Sequence, residues 1–420
     1  MHINAYFCRK QSRIAHMNIV IIGAGAAGCF ASIEIKRLNP TAQVTVIEKH
    51  SKPLAKVAIT GGGRCNLTNS FANVKSLEQV YPRGFRLMKR LFHTFSYADT
   101  YAWFENEGVQ LVTQDDECVF PQSQNAMEIV GTLLRLMERH KIRLFTGTEA
   151  KNIHFNEGRY EIETNGGILS ADKILVTTGG HPTAKGFEML SGFDLDIVQP
   201  VPSLFTLNIN DESLKSLMGT VVENAQITLV GTKIKSQGAL LITHWGISGP
   251  ATLKLSAAAA RILAESDYKA SVSINWLNGQ NDETAANMLR SMAAKNEKKQ
   301  ISSAYPTELN ARLWKHLLDR AHISPEMRWK ELQGKSLNML VHHLTNDEYQ
   351  VTGKSKFKEE FVTCGGVALS NLNQETLEAK KYKGLFFAGE VTDVDAITGG
   401  FNLQAAWTMG YAAAHGICND

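Results

Sequence analysis

Residues 18–38 read NIVIIGAGAAGCFASIEIKRL, a β-branched run followed by a glycine turn and a helical stretch. The spacing Gly23-x-Gly25-x-x-Gly28 between a strand and a helix is that of the dinucleotide-binding fingerprint. In that motif the first glycine permits the tight turn, the second lets the backbone approach a diphosphate, and the third lets the helix pack closely on the strand. The sequence therefore predicts a dinucleotide site at this turn.

A carboxylate at the end of the next predicted strand supports this interpretation. The segment QVTVIEKH predicts a strand that ends at Glu48, twenty residues after Gly28. At this spacing a carboxylate can accept hydrogen bonds from ribose hydroxyls. An ordinary turn between a strand and a helix does not require that spacing, so we predict an adenine dinucleotide.

The far end of the chain indicates which dinucleotide is bound. The segment GLFFAGE predicts a short strand that ends at Gly389 and Glu390, and a helix is predicted to begin near Phe401, after two glycines. Glu390 can accept hydrogen bonds from a polyol such as a ribityl chain. The amides and the positive dipole end of the helix can stabilise a reduced, anionic flavin. NAD has no ribityl chain, so the sequence favours FAD.

Two further segments agree with an FAD domain. The apolar run KILV is followed by a turn at Thr178 and Gly179, which is typical of a returning strand that closes such a domain around its cofactor. The strand near LFTGTEAKNI is expected to bring the backbone of Ala150 beside the adenine. Taken alone, each segment is better explained as a routine buried strand.

The composition is that of a soluble globular protein of two or three structural units, with 420 residues, 44% of them hydrophobic and 20% charged. The formal net charge of +3 is too small to indicate binding to nucleic acid or to a membrane surface. The six cysteines form no Cys-x-x-Cys pair, which argues against a zinc site or a disulfide framework and fits a reduced cytoplasm. We therefore expect a cytoplasmic protein without a metal.

The N-terminus imitates a secretory signal because basic residues precede an apolar run. The dinucleotide fingerprint explains that run better. Met17 is a candidate natural start, which would leave residues 1–16 as an extension. Elsewhere the sequence has no apolar run long enough to span a bilayer.

Six segments occur in the order VIIGAGAAG, TGGGRCNLTN, VFPQS, THWGISGPA, TCGGVAL and GLFFAGEVTDVDAITGGFNLQAAW. This order resembles that of the BaiN-like (YhiN-like) bacterial flavoproteins, within the glutathione-reductase-like FAD superfamily. The resemblance covers nearly all of the chain from Met17 onward. It implies an α/β fold with a three-layer, Rossmann-type FAD domain and an FAD-dependent oxidoreductase activity. For some members, reduction of a steroid-like bile acid intermediate has been proposed.

The family pattern also implies which residues hold the cofactor. It puts Glu48 and Lys49 at the adenosine end, Lys56 and residues 61–66 along the flavin, Glu390 at the ribityl chain and residues 401–403 at the pyrimidine edge. The predicted cofactor-binding residues are Gly23, Gly25, Ala26, Ala27, Gly28, Glu48, Lys49, Lys56, Gly61, Gly62, Gly63, Arg64, Cys65, Asn66, Ala150, Thr178, Gly179, Gly389, Glu390, Gly400, Phe401, Asn402 and Leu403.

Within TGGGRCN the glycines would let the backbone approach the flavin ring, and Arg64 and Asn66 would fix the loop by hydrogen bonds. A thiol beside a flavin suggests a redox partner, but no resolving cysteine lies nearby in the sequence. We interpret Cys65 as a small buried hydrophobe. The segment GGHPTAKGFEML is shorter than the corresponding loop of the family, which implies a different substrate specificity.

The middle of the chain changes pattern. The runs LFTLNI, AQITLV, ALLITHW and ASVSINW predict strands, and ELNARLWKHLLDRA has apolar residues at helical spacing. We predict an FAD-binding domain of residues 17–190 and 350–420, a β-rich insert of residues 191–278 and 336–349, and a helical subdomain of residues 279–335.

We predict hydride transfer between flavin N5 and a small enone-like or steroid-like acceptor, held between the flavin and the insert, with no nucleic acid or membrane partner. No second complete fingerprint follows Gly28, so a separate NADPH domain is not expected, and NAD(P)H is a possible transient donor at the open flavin face. His244 is either a proton donor to the substrate or a histidine satisfied by local backbone. Asp393 and Asp395 are interpreted as a hydrogen-bonded turn. Two alternatives remain open: an RNA-modifying flavoenzyme and a non-catalytic flavin-binding redox sensor.

Overall fold

The computed structural model describes residues 17–181, 183–354 and 362–419. The predicted extension of residues 1–16 lies outside the described residues. None of the helices among the residues described combines the length and apolar character needed to cross a membrane.

The helices and strands follow one another along the chain in three groups. The first half contains β1 (Asn18–Ile22), β2 (Gln43–Glu48), β3 (Thr68–Asn69), β4 (Leu111–Thr113), β5 (Cys118–Pro121), β6 (Arg143–Thr146), β7 (Ala150–Asn156), β8 (Arg159–Thr164), β9 (Gly167–Ala171) and β10 (Lys173–Val176), with helices α1 (Ala26–Leu38), α2 (Ala55–Gly63), α3 (Phe85–Leu91), α4 (Tyr97–Asn106) and α5 (Ala126–Arg139). The middle contains β11 (Ile197–Ser203), β12 (Leu207–Ile209), β13 (Val221–Leu229), β14 (Lys235–Ile242), β15 (Gly246–Ser248), β16 (Ala270–Asn275) and β17 (Asp347–Lys354), with helices α6 (Glu212–Lys215), α7 (Pro250–Ala258), α8 (Ala260–Glu265), α9 (Asp282–Lys295), α10 (Ala311–Arg320) and α11 (Gly334–Thr345). The last group is β18 (Val362–Val367), β19 (Leu385–Phe387) and α12 (Phe401–Cys418).

The central sheet has five strands in the order β19-β10-β1-β2-β6, all parallel. Successive side chains of a strand point to opposite faces, so each strand contributes to two cores. In β1, Ile19 and Ile21 pack with α1 and α12, whereas Val20 and Ile22 pack with the small β7-β8-β9 sheet. Helices, parallel sheet and antiparallel sheet form three layers, which confirms the predicted fold class.

The parallel order places four predicted motifs at one edge of the sheet. The carboxyl ends of β1, β2, β10 and β19 meet there, and they lead into Gly23, Glu48, Thr178 and Glu390. From β1 the chain passes through α1 to β2 on one side, whereas β10 pairs with β1 on the other side and is followed in the sheet by β19, so a crevice opens at this edge. Ligands of open α/β sheets bind at such a crevice.

The insert is a closed six-stranded barrel in the order β12-β15-β14-β13-β16-β17. Helices α9, α10 and α11 pack on it around a core that contains the fully buried Trp276 and Trp314. Strand β17 pairs with both β12 and β16 and completes the closure. The predicted boundary between residues 349 and 350 therefore falls inside this strand, and the one between 335 and 336 falls inside α11.

Candidate functional site

The three fingerprint glycines have different steric surroundings. Gly23 has φ +108°, and a Cβ there would lie 2.5 Å from the Thr177 carbonyl oxygen. A Cβ on Gly28 would lie 2.1 Å from the Gly23 oxygen, so only glycine lets α1 pack this closely. A Cβ on Gly25 would meet nothing within 4 Å, because this glycine faces open space. Tight turn, close packing and an accessible backbone are the roles that the motif assigns to these positions.

The two alanines that follow Gly25 lie in the first turn of α1. Ala26 is half-buried, whereas Ala27 is buried, and its Cβ would lie 3.1 Å from a Cβ placed on Gly389. Gly389 itself has φ +79° and ends the turn after β19. Ala27 thus contacts the C-terminal part of the site, although the two segments are far apart in the sequence.

Glu48 links β2 to the glycine turn. Its Oε2 accepts a hydrogen bond of 2.9 Å from the Ala24 amide, and its Oε1 accepts one of 2.9 Å from the His50 amide. An ionised carboxylate offers about four acceptor positions, so both oxygens can still accept hydrogen bonds from a ribose. The carboxylate thus holds the turn through two backbone amides and keeps acceptor positions for a ligand.

A cavity of 430 Å³ lies beside this carboxylate. Among its lining residues are five of the predicted set, namely Gly23, Glu48, Lys49, Ala150 and Thr178. The Thr178 hydroxyl oxygen is buried and has no hydrogen-bond partner within the described ranges of the chain, and such a group is stabilised by a ligand that bonds to it. Other lining residues were not predicted from the sequence, and they include Thr148, Glu149, Lys151, His181 and Lys185.

The TGGGRCN segment was predicted as a loop, and its first three residues, Thr60, Gly61 and Gly62, have non-helical backbone angles. Helix α2 runs through it but is interrupted, because Gly61 and Gly62 adopt left-handed φ values of +62° and +70°. A Cβ on Gly61 would lie 2.9 Å from the Asn66 amide nitrogen, so this glycine is required by packing. Gly62 and Gly63 face open space instead, which leaves their backbone accessible to a ligand.

Arg64 and Cys65 end this segment in different environments. The Arg64 guanidinium lies 4.4 Å from the centre of the Phe120 ring, and its Nε donates a hydrogen bond of 3.1 Å to the Gly61 oxygen. Cys65 is fully buried, and burial raises the pKa of its thiol to about 12. The thiol is therefore protonated at neutral pH. Its surroundings are those of a side chain packed in the core and not those of a reactive cysteine.

Lys56 and Glu390 meet although 334 residues separate them. The Lys56 Nζ donates a hydrogen bond of 3.0 Å to Glu390 Oε2, and the Thr363 amide donates one of 2.7 Å to Oε1. A Cβ on Gly180 would lie 2.5 Å from the same Oε1, and one on Gly179 would lie 3.9 Å from Oε2. The turn after β10 thus supports a carboxylate that Lys56 and Thr363 hold in place.

A second contact joins the two ends of the chain. With its amide turned so that the nitrogen faces the Thr68 oxygen, the Asn66 side chain donates to that oxygen over 2.9 Å and accepts from the Gly400 amide over 3.2 Å. Gly400 has φ +87° and precedes α12, and a Cβ there would lie 2.2 Å from the Thr68 oxygen. The loop of residues 61–66 therefore lies against the start of α12.

The first turn of α12 is held by its own neighbours. The Phe401 ring is buried and its carbonyl oxygen accepts a hydrogen bond of 2.9 Å from the Tyr81 hydroxyl. The Asn402 side chain closes the preceding loop through two hydrogen bonds of 2.9 Å with the Ala396 backbone. Its Oδ1 accepts from the Ala396 nitrogen, and its Nδ2 donates to the Ala396 oxygen. Leu403 is half-buried. The Asn402 side chain thus shapes the loop, and the backbone at this helix start remains the group suited to a ligand.

Asp393 and Asp395 lie beside arginines. The fully buried Asp395 accepts hydrogen bonds from the Arg83 guanidinium and one of 2.9 Å from the Ser203 hydroxyl. Asp393 accepts two, of 2.8 and 2.9 Å, from one nitrogen of Arg261. The positive charges of the two guanidinium groups balance the negative charges of these carboxylates.

His244 lies in the turn between β14 and β15. It is exposed, and its ring packs edge-to-face on Trp245 with centroids 4.4 Å apart. The turn belongs to the barrel, whereas the residues predicted to bind the cofactor lie in the central α/β unit. Among the residues that the structure describes, none forms a hydrogen bond with the His244 side chain. The contacts of this ring therefore do not distinguish a proton donor from a structural histidine.

Comparison with known proteins identifies the family. Residues 17–416 match the family described as HI0933-like protein Rossmann domain. The chain belongs to this family. Its membership confirms the assignment to bacterial flavoproteins made from the motifs, and the family is one of FAD-dependent oxidoreductases.

Three similar proteins illustrate the range of the matches. The chain is 28% identical to the ribosomal RNA dihydrouridine synthase of Escherichia coli, covering 95% of this chain and 97% of that one. It is 25% identical to the 3-dehydro-bile acid delta(4,6)-reductase of Clostridium scindens, covering 94% and 97%. Among solved structures, an E. coli quinol fumarate reductase FrdA subunit is similar, with 15% identity, a TM-score of 0.49, and coverage of 96% of this chain and 70% of that one.

Proposed function

We propose that this protein is an FAD-dependent reductase of a carbon–carbon double bond conjugated to a carbonyl group. The observation that carries the proposal is the meeting of the two chain ends at the carboxyl edge of the sheet. Lys56 contacts Glu390 there, and Asn66 contacts Gly400. The same edge carries the fingerprint glycines and the 430 Å³ cavity, so one extended ligand fits along it.

The residues present suit FAD in order along this edge. The cavity beside Glu48 would take the adenosine, and the open side of Gly25 would take the diphosphate. Glu390 would bind the ribityl hydroxyls, with Lys56 as its ion-pair partner. The accessible backbone of Gly62 and Gly63 and the start of α12 would lie along the ring.

Bound FAD supplies a hydride from its N5 atom. The positive end of α12 would stabilise negative charge at the pyrimidine edge of the ring. Reduction of the conjugated bond adds this hydride to the carbon distant from the carbonyl and a proton to the adjacent carbon. The barrel would cover the substrate, with His244 as a candidate proton donor. NAD(P)H would restore the two electrons for each turnover.

The chemical class of acceptor follows from the relatives. The name 3-dehydro-bile acid delta(4,6)-reductase describes addition of hydrogen to double bonds conjugated with a 3-oxo group. A small enone-like or steroid-like acceptor is therefore our first proposal for this chain.

A second candidate keeps the chemistry and changes the substrate to a uridine of ribosomal RNA. Relatives from Escherichia coli and Haemophilus influenzae, 28% and 26% identical, carry the name ribosomal RNA dihydrouridine synthase, and they favour this candidate. In uridine, too, the reduced bond is conjugated to a carbonyl. Nothing observed favours a non-catalytic sensor over these two.

One anaerobic experiment tests both candidates. The purified protein is expected to be yellow and to bleach on addition of NADH or NADPH. Bleached protein is then mixed with a 4,6-dien-3-one steroid or with ribosomal RNA that lacks dihydrouridine, and the product is analysed by mass spectrometry for the gain of two hydrogens. Reoxidation by only one acceptor selects that candidate. A colourless protein that takes up no FAD contradicts the proposal.

A further inference from the structure

His181 is a half-buried histidine that was not predicted from the sequence to bind the cofactor. It follows the turn after β10 and lines the 430 Å³ cavity together with Gly23 and Thr178. Its ring packs edge-to-face on Phe187, with centroids 5.6 Å apart. The Nε2 atom is buried and has no hydrogen-bond partner among the residues that the structure describes. A buried polar nitrogen of this kind is costly unless a ligand or water bonds to it.

The ring is held in place from behind. A Cβ on Gly186 would lie 2.0 Å from the Cγ of His181 and 2.3 Å from its Nδ1. Only glycine therefore lets the 3₁₀ segment Ala184–Leu190 run against the imidazole. With Phe187 in the same segment, Gly186 fixes the ring against the cavity wall.

The surrounding charges identify what His181 would bind. Burial, and then the positive charges of Lys49 and Lys56, lower the pKa of His181, while Glu390 acts in the opposite direction. Lys49 belongs to the adenosine end of the proposed site, and Lys56 and Glu390 belong to the ribityl end. The other charged side chains that line the cavity are Glu48, Glu149, Lys151, Lys185 and Glu188. His181 lines the same cavity as Gly23 of the glycine turn and Lys49 of the adenosine end, and the diphosphate of the cofactor would run between those two.

We propose that His181 binds the diphosphate of FAD from the side opposite the glycine turn, as an imidazolium, and that FAD binding is coupled to uptake of one proton. The inference rests on the FAD site of the proposed function. A diphosphate supplies the acceptor that Nε2 lacks and negative charge beside the lysines that lower the pKa of the imidazole. The neutral imidazole of the free protein takes up the proton from solvent when the anion binds.

The coupling predicts a definite pH dependence. The pKa of His181 is lowered in the free protein, and the diphosphate would raise it in the complex. Between these two pKa values, binding takes up a proton, so FAD affinity falls as the pH rises through that interval. Wild-type protein should therefore bind FAD more tightly at pH 6 than at pH 8.

The test compares FAD with riboflavin, which has no phosphate, by fluorescence titration of the apoprotein at pH 6 and pH 8. His181→Phe keeps a ring against Phe187 and removes the nitrogen. We expect this variant to bind FAD about tenfold more weakly, which corresponds to the loss of one charge-assisted hydrogen bond. Its affinity for riboflavin should be unchanged, and its affinity for FAD should no longer differ between pH 6 and pH 8. Gly186→Ala should displace the ring and give the same FAD-selective loss.

The matched control is His154→Phe, because His154 is an exposed histidine on β7 beside Glu163 and outside the cavity lining. It should bind FAD as wild type does at both pH values. Equal FAD affinity for His181→Phe and wild type, or equal loss of FAD and riboflavin, overturns the inference. Failure of wild-type protein to bind FAD at either pH would instead overturn the proposed function.

Discussion

The carboxylate of Glu390 is surrounded by parts of the chain that sequence spacing does not relate. Lys56 and the Thr363 amide bond to it, and Gly180 leaves it the space it occupies. A substitution here therefore reports on the proposed ribityl contact more directly than one in the fingerprint, where the turn itself would be strained.

We expect Glu390→Ala to lose bound FAD, with affinity reduced about tenfold or more, since charged hydrogen-bond acceptors contribute roughly 1.5–3 kcal/mol. Glu390→Gln keeps the size and one acceptor and should lose less. The ratio of FAD to protein after gel filtration measures this. Glu375→Ala is the control, because Glu375 forms an exposed ion pair with Arg90 on the surface. Full FAD occupancy in Glu390→Ala would contradict the assignment.

Cys65 tests whether the thiol beside the glycine segment takes part in redox chemistry. Its pKa of about 12, raised by burial, keeps it protonated up to pH 8, so iodoacetamide should not modify it in the folded protein. Peptide mapping by mass spectrometry checks this, with urea-unfolded protein as the control that must be modified. Cys65→Ala should keep its FAD. Rapid labelling of native Cys65 would restore the redox interpretation.

At this scale the sequence predicts residues that have a motif and misses those that have none. Gly23, Gly25 and Gly28 were predicted because their spacing is fixed by the turn itself. His181 has no such spacing, and the role proposed for it depends on Gly186 and on lysines from two other segments. A lone histidine after a Thr-Gly-Gly turn was the available signal, and it is too common to be decisive.

Among the helices, α1 and α12 form a close contact on one face of the central sheet. A Cβ on Gly410 of α12 would lie 2.9 Å from the Ala27 oxygen of α1. This approach positions the start of α12 next to the fingerprint turn, so the packing of two helices determines the geometry of the proposed cofactor site.

Gly410→Ala should lower the free energy of unfolding by about 1–3 kcal/mol, because the added methyl group forces the helices apart. Gly131→Ala is the matched control in α5, where a Cβ meets nothing within 4 Å and the glycine is exposed. It should raise stability by roughly 0.5–1 kcal/mol, since alanine is the better helix former. Urea denaturation of the apoprotein measures both. The same sign for both variants would contradict the close contact.

The elements that the sequence predicted well are those with a strong periodicity. Helix α10 was expected from its apolar spacing, and it buries Leu313, Trp314, Leu317 and Leu318. The helical start of α2 was missed because glycines dominate its second half. The extent of β17 was missed as well, since its place in the sheet depends on closure of a barrel with β12 and β16, and pairing partners are not visible in one strand.

At the scale of the molecule, the barrel is joined to the central α/β unit beside the loop that carries Glu390. Strands β11 and β18 pair with each other at the two crossings between the units. The Arg83 side chain bonds Asp395, Ser203 and the Ala257 oxygen, and so connects the loop after β19 to both units. Arg261 of α8 adds a second ion pair to Asp393.

These two ion pairs differ in burial, so their contributions to the free energy of unfolding should differ as well. Asp395 is fully buried and Arg83 is 11% exposed, so Arg83→Met leaves a buried carboxylate without its partner, at a cost of about 3–5 kcal/mol. Arg261 is 44% exposed, and Arg261→Met should cost roughly 0–1 kcal/mol, less at high salt. Urea denaturation measures both costs. Replacing both members, as Arg83→Met with Asp395→Leu, should recover much of the stability because no buried charge remains. If Arg83→Met costs no more than Arg261→Met, the buried pair does not help to join the barrel to the loop after β19.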